Sequence, residues 1–392
     1  MGQAIPEYPI DLFSHESVRN ARAVDDTLRE FSPVVRLADG TVMITRHADV
    51  TTGLQDWQTF SNKSRPWHDP NSLRPEILLT DDPPRHTHVR QAIAKALSTQ
   101  VLGNLRPSFE RDAAALFDSL MPRQGEVIDA VREITQRFVY KALPDAIGLR
   151  VEGREHMYAF SHMVWATMGP ENELFREAMV NIEPVLAWLE QCCDRDNLSE
   201  GGIGMVLYGM ADDGVITQAE AKLLLQTVLA AGADTTILTM ANAMYAFAKF
   251  PDQYQKLRAD PSLVRAAFDE SLRWDSPSRM AGRITTREVD IGGYAVAAGQ
   301  RVGLMFAAAN RDPRAWDRPD QYDMGRDLKK QVGWGYGIHA CVGRVLAQLE
   351  AHVLLTEMAR RVARFETAGE PTPWMTTIGH GPAKLPVRLY AS

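Results

Sequence analysis

The residues best placed to do chemistry lie in the run Gly333-Trp334-Gly335-Tyr336-Gly337-Ile338-His339-Ala340-Cys341-Val342-Gly343. Glycines let a backbone turn tightly and come close to a flat partner. Cys341 falls where a helical pattern begins, and a helix N-terminus favours a thiolate over a thiol. A thiolate held by such a loop can act as an axial metal ligand, heme iron being one such metal. A lone cysteine is more often a small buried hydrophobe. Here the glycines, His339 and Gly343 occur together around it, which favours the ligand.

Three further groups carry spacing of the same kind. Ala231-Gly232-Ala233-Asp234-Thr235-Thr236 puts a glycine and two threonines inside a long apolar helical pattern. These are poor residues for mid-helix, and a Thr hydroxyl can bond back to a carbonyl and bend the helix. Such local conflict marks a functional site; the plain alternative is a kink with a satisfied Asp. His86 and Arg90 stand at i, i+4 near the start of a helical segment, so both face one way, and Arg suits bidentate carboxylate pairing. Glu270 and Arg273 stand at i, i+3, which alone reads as an ordinary helix ion pair.

The elements that must position these residues are mostly helical. Helical patterns run over 85–97, 105–120, 131–143, 154–168, 173–193, 218–250, 251–259, 261–274 and 342–365. Asp39-Gly40 between two apolar runs, 34–37 and 42–45, predicts a hairpin. Short strands are expected between residues 283 and 302, where Gly292-Gly293 and Gly299 mark turns, and a closing strand over 386–389. Five prolines between 66 and 84 break any helix there, and such irregular segments are often binding loops. The expected fold class is mainly α with minor β (α+β).

Composition bounds the function. The chain has 392 residues, a net charge of −7 and only three cysteines. The acidic balance argues against broad nucleic-acid binding, the cysteine count against disulfide scaffolds and Cys-rich zinc sites. No membrane span and no signal pattern is expected, so the reading is a soluble, cytoplasmic protein. At roughly 150 residues per domain, length alone suggests two or three domains.

Taken together, these segments resemble the cytochrome P450 family, whose heme-binding signature reads Phe-Gly-x-Gly-x-His-x-Cys-x-Gly; Trp334 stands where Phe is usual. The resemblance covers essentially the whole chain and implies one P450 domain over residues 1–392, replacing the estimate from length. It implies heme b, with Cys341 as the iron ligand and His86, Arg90, Arg283 and His339 at the propionates. Gly232 would leave room for oxygen, Thr235 would hydrogen-bond it and Asp234 would help deliver protons. Glu270 and Arg273 would join Arg326 in a buried network that supports the heme loop. The family's activity would be a monooxygenase reaction using O2 and two electrons from a ferredoxin or a flavin/iron–sulfur reductase. No reductase signature occurs in the chain, and Lys329, Lys330 and Arg344 are candidates to steer an acidic donor.

The chain is most similar to bacterial P450s that oxidise para-substituted benzoates, including methoxybenzoates. That resemblance implies a small aromatic substrate and oxidative O-demethylation of a methoxybenzoate or guaiacol-type phenol. It places Arg74, Leu78, Leu79, Trp165, Met168, Thr227, Ala231 and Ala281 at the substrate pocket. Glu76 stands where a Ser would contact the substrate carboxylate, and would repel it at close range. The alternatives are a P450 acting on a terpene, fatty acid or macrolide, and a heme-binding sensor without turnover, against which Asp234 and Thr235 argue.

Overall fold

A computed structural model of the chain describes residues 3–63, 67 and 76–391. Arg74 and most of the proline-rich segment therefore lie outside the described residues. The architecture is mainly helical with a minor β part, as expected. Seven helices position the site: α1 (Arg85–Ala96), α2 (Arg137–Ile147), α3 (Met157–Ala166), α4 (Gln218–Gly232), α5 (Asp234–Lys249), α6 (Val264–Trp274) and α7 (Arg344–Arg361). Six strands, β1 (Glu7–Tyr8), β2 (Val34–Leu37), β3 (Val42–Ile44), β4 (Phe60–Ser61), β5 (Ala281–Thr285) and β6 (Arg301–Leu304), form one sheet in the order β1-β2-β3-β6-β5-β4. The predicted hairpin is β2–β3, paired Val34 to Ile44, with Gly40 at φ +80° in the turn.

Each helix lies where apolar spacing demands burial. In α1 His86, Val89, Ile93 and Ala96 share the buried face. The helix α4 opens on a capping box, Thr217 with Glu220, which satisfies two of the backbone amides a helix start leaves open. The span 218–249 is long and apolar enough to cross a membrane, but 72% of its apolar window is buried inside the protein. It is a core element rather than an exposed apolar rod.

Three predicted helices differ in the structure. The 218–250 pattern is two helices, because Ala233 (φ −82°, ψ −72°) leaves the helical path between α4 and α5. The hydroxyls of Thr235, Thr236 and Thr239 donate to the carbonyls of Ala231, Gly232 and Thr235, at 2.9, 3.1 and 2.6 Å, and so take up backbone groups around the break. The 173–193 pattern divides into Glu173–Ala178 and Glu183–Cys192, with Asn181 at φ +56° between them. The last helix stops at Arg361: Val362–Thr367 is a strand paired antiparallel with Pro386–Ala391, where Phe365 faces Leu389. Burial of Val362 and Phe365 against that partner strand outweighs continuation of the helix.

Candidate active site

The cysteine loop is shaped by its glycines. Gly335 and Gly337 adopt φ +67° and +66°, and a Cβ on Gly337 would sit 2.7 Å from the Leu54 carbonyl oxygen. Only glycine fits there without strain. The loop folds back so that the Cys341 amide donates to the Trp334 carbonyl at 2.7 Å. The backbone amides of Gly343 and Arg344, where α7 begins, favour negative charge on the Cys341 sulfur. Protein surrounds the sulfur, yet Cys341 is exposed because its open side faces a cavity that it helps to line. Burial pushes its thiol pKa up despite those amides and the nearby Arg90. Desolvation and the helix start thus act on the sulfur in opposite senses, and a bound metal cation would favour its thiolate.

A buried ion network braces the loop. Arg273 holds Glu270 through two hydrogen bonds of 2.7 and 2.8 Å, both side chains fully buried, and Arg326 adds a third at 3.3 Å. Arg273 also donates to the carbonyls of Asn310, Pro319 and Gln321. Asn310 in turn accepts from the Val332 amide at 2.8 Å, one residue before the glycine run. A buried pair tolerates burial only when its remaining hydrogen-bonding groups are satisfied like this.

Four positively charged or chargeable side chains meet beside the loop, with Asp81 and Asp82 acting on His86 and Asp82 on Arg283 through space but, among the described residues, no carboxylate in an ion pair with either arginine. The His86 and His339 rings lie 4.4 Å apart, and both His86 ring nitrogens and His339 Nε2 are buried without partners. Burial, then Arg283, His86 and Arg90, push the His339 pKa down to about 3. Burial likewise lowers His86, and brings Arg283 down to about 10. Arg90 donates to the Ala340 carbonyl at 2.5 Å and Arg283 to that of Gly282 at 2.7 Å. Among the described residues neither arginine has an ion-pair partner. Such a cluster is costly alone and is offset by a ligand carrying two carboxylates. The residues present therefore fit heme b, with its two propionates.

On the opposite side of the cavity the helix break places Asp234 and Thr235 differently. Thr235 lines the cavity. Asp234 does not: it turns into a small side cavity with Gln136, Tyr158 and Trp374, and its Oδ1 accepts from the Tyr140 hydroxyl at 3.0 Å. Burial raises its pKa to about 7, against opposing hydrogen bonds from Ser161 and Tyr140, and Oδ2 is buried without a partner. Gly232 lines the cavity, but the position a Cβ would take faces Leu143 of α2 at 3.1 Å. Its missing side chain thus permits close packing between α4 and α2.

The cavity, of about 340 Å³, is in the range of small-molecule sites. Leu78, Leu79, Trp165, Met168, Thr227, Ala231 and Ala281 line it, as expected; Arg74 lies outside the described residues. Leu78 sits at φ +72°, a costly backbone for a non-glycine residue, and its backbone N–H donates to Asp81 Oδ2 at 2.7 Å. The Thr227 hydroxyl donates to its own helix, to the Leu223 carbonyl at 2.9 Å. Glu76 is not among the lining residues. Sequence reasoning missed Trp67, Met280, Phe306 and Ile378, which also line the cavity. Met280 could have been found beside Ala281; the others carry no local signal.

A mainly helical frame that sets one cysteine at the wall of an apolar cavity, beside unpaired cations, has the architecture of a heme-thiolate protein. The Cytochrome P450 family profile matches residues 203–383. Cytochrome P450 CYP199A2 of Rhodopseudomonas palustris is 38% identical over 99% of this chain and 95% of its own length. Cyclomarin C epoxidase CymV of Salinispora arenicola is 30% identical over 91% and 93%. The structure of cytochrome P450 CYP109Q5 from Chondromyces apiculatus superposes with a TM-score of 0.81, at 29% identity, over 98% of this chain and 99% of that one. This chain belongs to the cytochrome P450 family. It is accordingly a heme-thiolate monooxygenase that takes O2 and draws electrons from a separate redox partner.

Proposed function

We propose that the chain, folded as one P450 domain over residues 1–392, oxidises a small methoxylated aryl compound by O-demethylation. The substrate would be a methoxybenzoate or a guaiacol-type phenol. Cys341 would bind the iron of heme b, with Arg90, Arg283, His86 and His339 around its propionates. When bound, the heme supplies reductive activation of O2. The overall change inserts one oxygen atom into the methyl C–H bond, giving a hemiacetal that releases formaldehyde and the phenol; the second oxygen atom leaves as water with two protons and two electrons.

The protons are the business of this chain's own residues. Asp234, with a pKa of about 7, gives and takes a proton near neutrality at little cost. Thr235 donates its own proton to the Ala231 carbonyl at 2.9 Å, leaving its oxygen lone pairs free to accept from the cavity. The observation that carries the substrate class is the wall itself: Trp165, Met168, Leu78, Val228, Ala281 and Ile378 are apolar, and the Thr227 hydroxyl among them is turned to its own helix. Such a wall suits a flat ring bearing an apolar methyl ether. Arg74 is the candidate anchor for a substrate carboxylate.

The electron donor would be a ferredoxin or a flavin/iron–sulfur reductase. Lys329 is exposed and could meet it, while Arg344 is partly engaged by Asp269 at 3.4 Å. Three measurements test the reading. The reduced, carbon monoxide-treated protein should show the red-shifted Soret band of thiolate ligation, and Cys341→Ala should lose it. Formaldehyde should form one for one with demethylated product. Arg74→Ala should weaken a methoxybenzoate and leave a guaiacol unaffected. If neither class perturbs the heme spectrum on titration, the substrate assignment is wrong.

A further inference from the structure

One carboxylate reaches both arms of the cysteine loop. Asp269 lies on α6 beside Glu270, its side chain 10% exposed. Its Oδ1 accepts from the Trp334 indole N–H at 2.9 Å, on the arm that precedes Cys341. Its two oxygens accept from Gln348 at 3.3 and 3.4 Å, and Oδ2 from Arg344 at 3.4 Å, both on the arm that follows. The Trp334 ring lies between Phe268, 5.9 Å between centroids, and the Arg344 guanidinium, 5.4 Å from the ring centroid.

These two tethered residues are also the ones whose backbones hold the cysteine. The Trp334 carbonyl takes the Cys341 amide at 2.7 Å, and the Arg344 amide favours negative charge on the sulfur. Trp334 stands where the family signature has Phe, which has no N–H to give. The indole and the carboxylate are thus a matched pair.

We infer that Asp269 is a positioning residue for Cys341: it clamps the loop through Trp334 on one side and Arg344 and Gln348 on the other, keeping the amides aimed at the sulfur. A charge-assisted hydrogen bond of this kind is stronger than a neutral one, and this buried carboxylate is held by donors from three residues. Without it the loop keeps its glycine turns but loses the side-chain tie between its arms.

The inference rests on Cys341 as the iron ligand, and the test separates the two. Heme-loaded wild type, Trp334→Phe, Asp269→Ala, Asp269→Asn and the double variant Trp334→Phe/Asp269→Ala are reduced under carbon monoxide, and loss of the thiolate band is followed in mild denaturant. Trp334→Phe and Asp269→Ala should lose the band roughly tenfold faster, the scale of one lost hydrogen bond to a charged group. Asp269→Asn, which keeps an acceptor for the indole, should stay near wild type. The double variant should be no faster than Asp269→Ala, since Asp269→Ala already removes the indole's tie.

The reduction potential supplies a readout that general loosening would not move in this pattern. Trp334→Phe should fall below wild type, as slack amides draw less charge from the sulfur. Asp269→Asn should rise, because a negative charge nearby is removed. Unchanged band loss in Trp334→Phe and Asp269→Ala, or multiplying effects in the double variant, would overturn the clamp. An intact protein without the thiolate band would instead overturn the ligand assignment, and the clamp with it. If Asp269→Ala fails to fold, Trp334→Phe and Asp269→Asn still decide the matter by their opposite potential shifts.

Discussion

Asp234→Asn should change how stability depends on pH, and the size follows from the site. The carboxyl has an ordinary value of 3.8 and stands at about 7 in the folded chain, because burial outweighs the hydrogen bonds from Ser161 and Tyr140. Between those values the folded state keeps a proton that the unfolded state releases. The unfolded state therefore gains as pH rises, and wild-type stability falls across that window. At about 1.4 kcal/mol per pH unit, the loss between about pH 5 and pH 8 is roughly 2–3 kcal/mol. Asn does not titrate and its amide oxygen can still accept from Tyr140. Urea midpoints of both heme-loaded proteins at several pH values give the difference, in which all other titrating groups cancel. The variant should gain on wild type by that amount, with the turn near pH 7. Infrared spectra should show a protonated carboxyl stretch that titrates near the same pH and is missing in the variant. Parallel stability profiles, or a carboxyl ionised throughout, would refute the reasoning and require a cation or ordered water at Oδ2.

Other changes should separate steric, electrostatic and structural demands. Gly337→Ala must place a Cβ 2.7 Å from the Leu54 carbonyl at φ +66°, and should prevent accumulation of heme-loaded protein; Gly209→Ala, in open space within the helix Ile203–Asp212, should stabilise by roughly 0.5–1 kcal/mol in thermal melts. Arg283→Ala should weaken heme retention at least about tenfold in transfer to a heme acceptor, as a buried cation is removed from its dianionic partner. Arg273→Met leaves Glu270 buried beside a single, more distant arginine and should cost about 3–5 kcal/mol, whereas Arg326→Met, nearer the surface, should cost less; denaturation midpoints decide.

The parts of the site legible in the sequence are those where local chemistry leaves little choice. Gly335 and Gly337 announce a loop because their backbone angles exclude other residues, and the Glu270–Arg273 spacing announces its pair because the helix period places both on one face. The paired threonines announce a helix break for the same reason: their hydroxyls compete for backbone carbonyls. Where a tertiary partner decides, the sequence is silent. The turn of Asp234 away from the cavity depends on ψ at Ala233 and on Tyr140, nearly a hundred residues earlier. How far burial raises the Cys341 thiol against the pull of the helix start depends on how much water the surrounding helices exclude. The clamp at Asp269 shows both regimes in one residue. Its position one step before Glu270 turns it off the axis of the buried pair, toward the loop. Yet Trp334, where the family signature has Phe, adds an indole N–H to the donors on Arg344 and Gln348, so the departure from the signature extends the tie from α6 to the arm that precedes the cysteine.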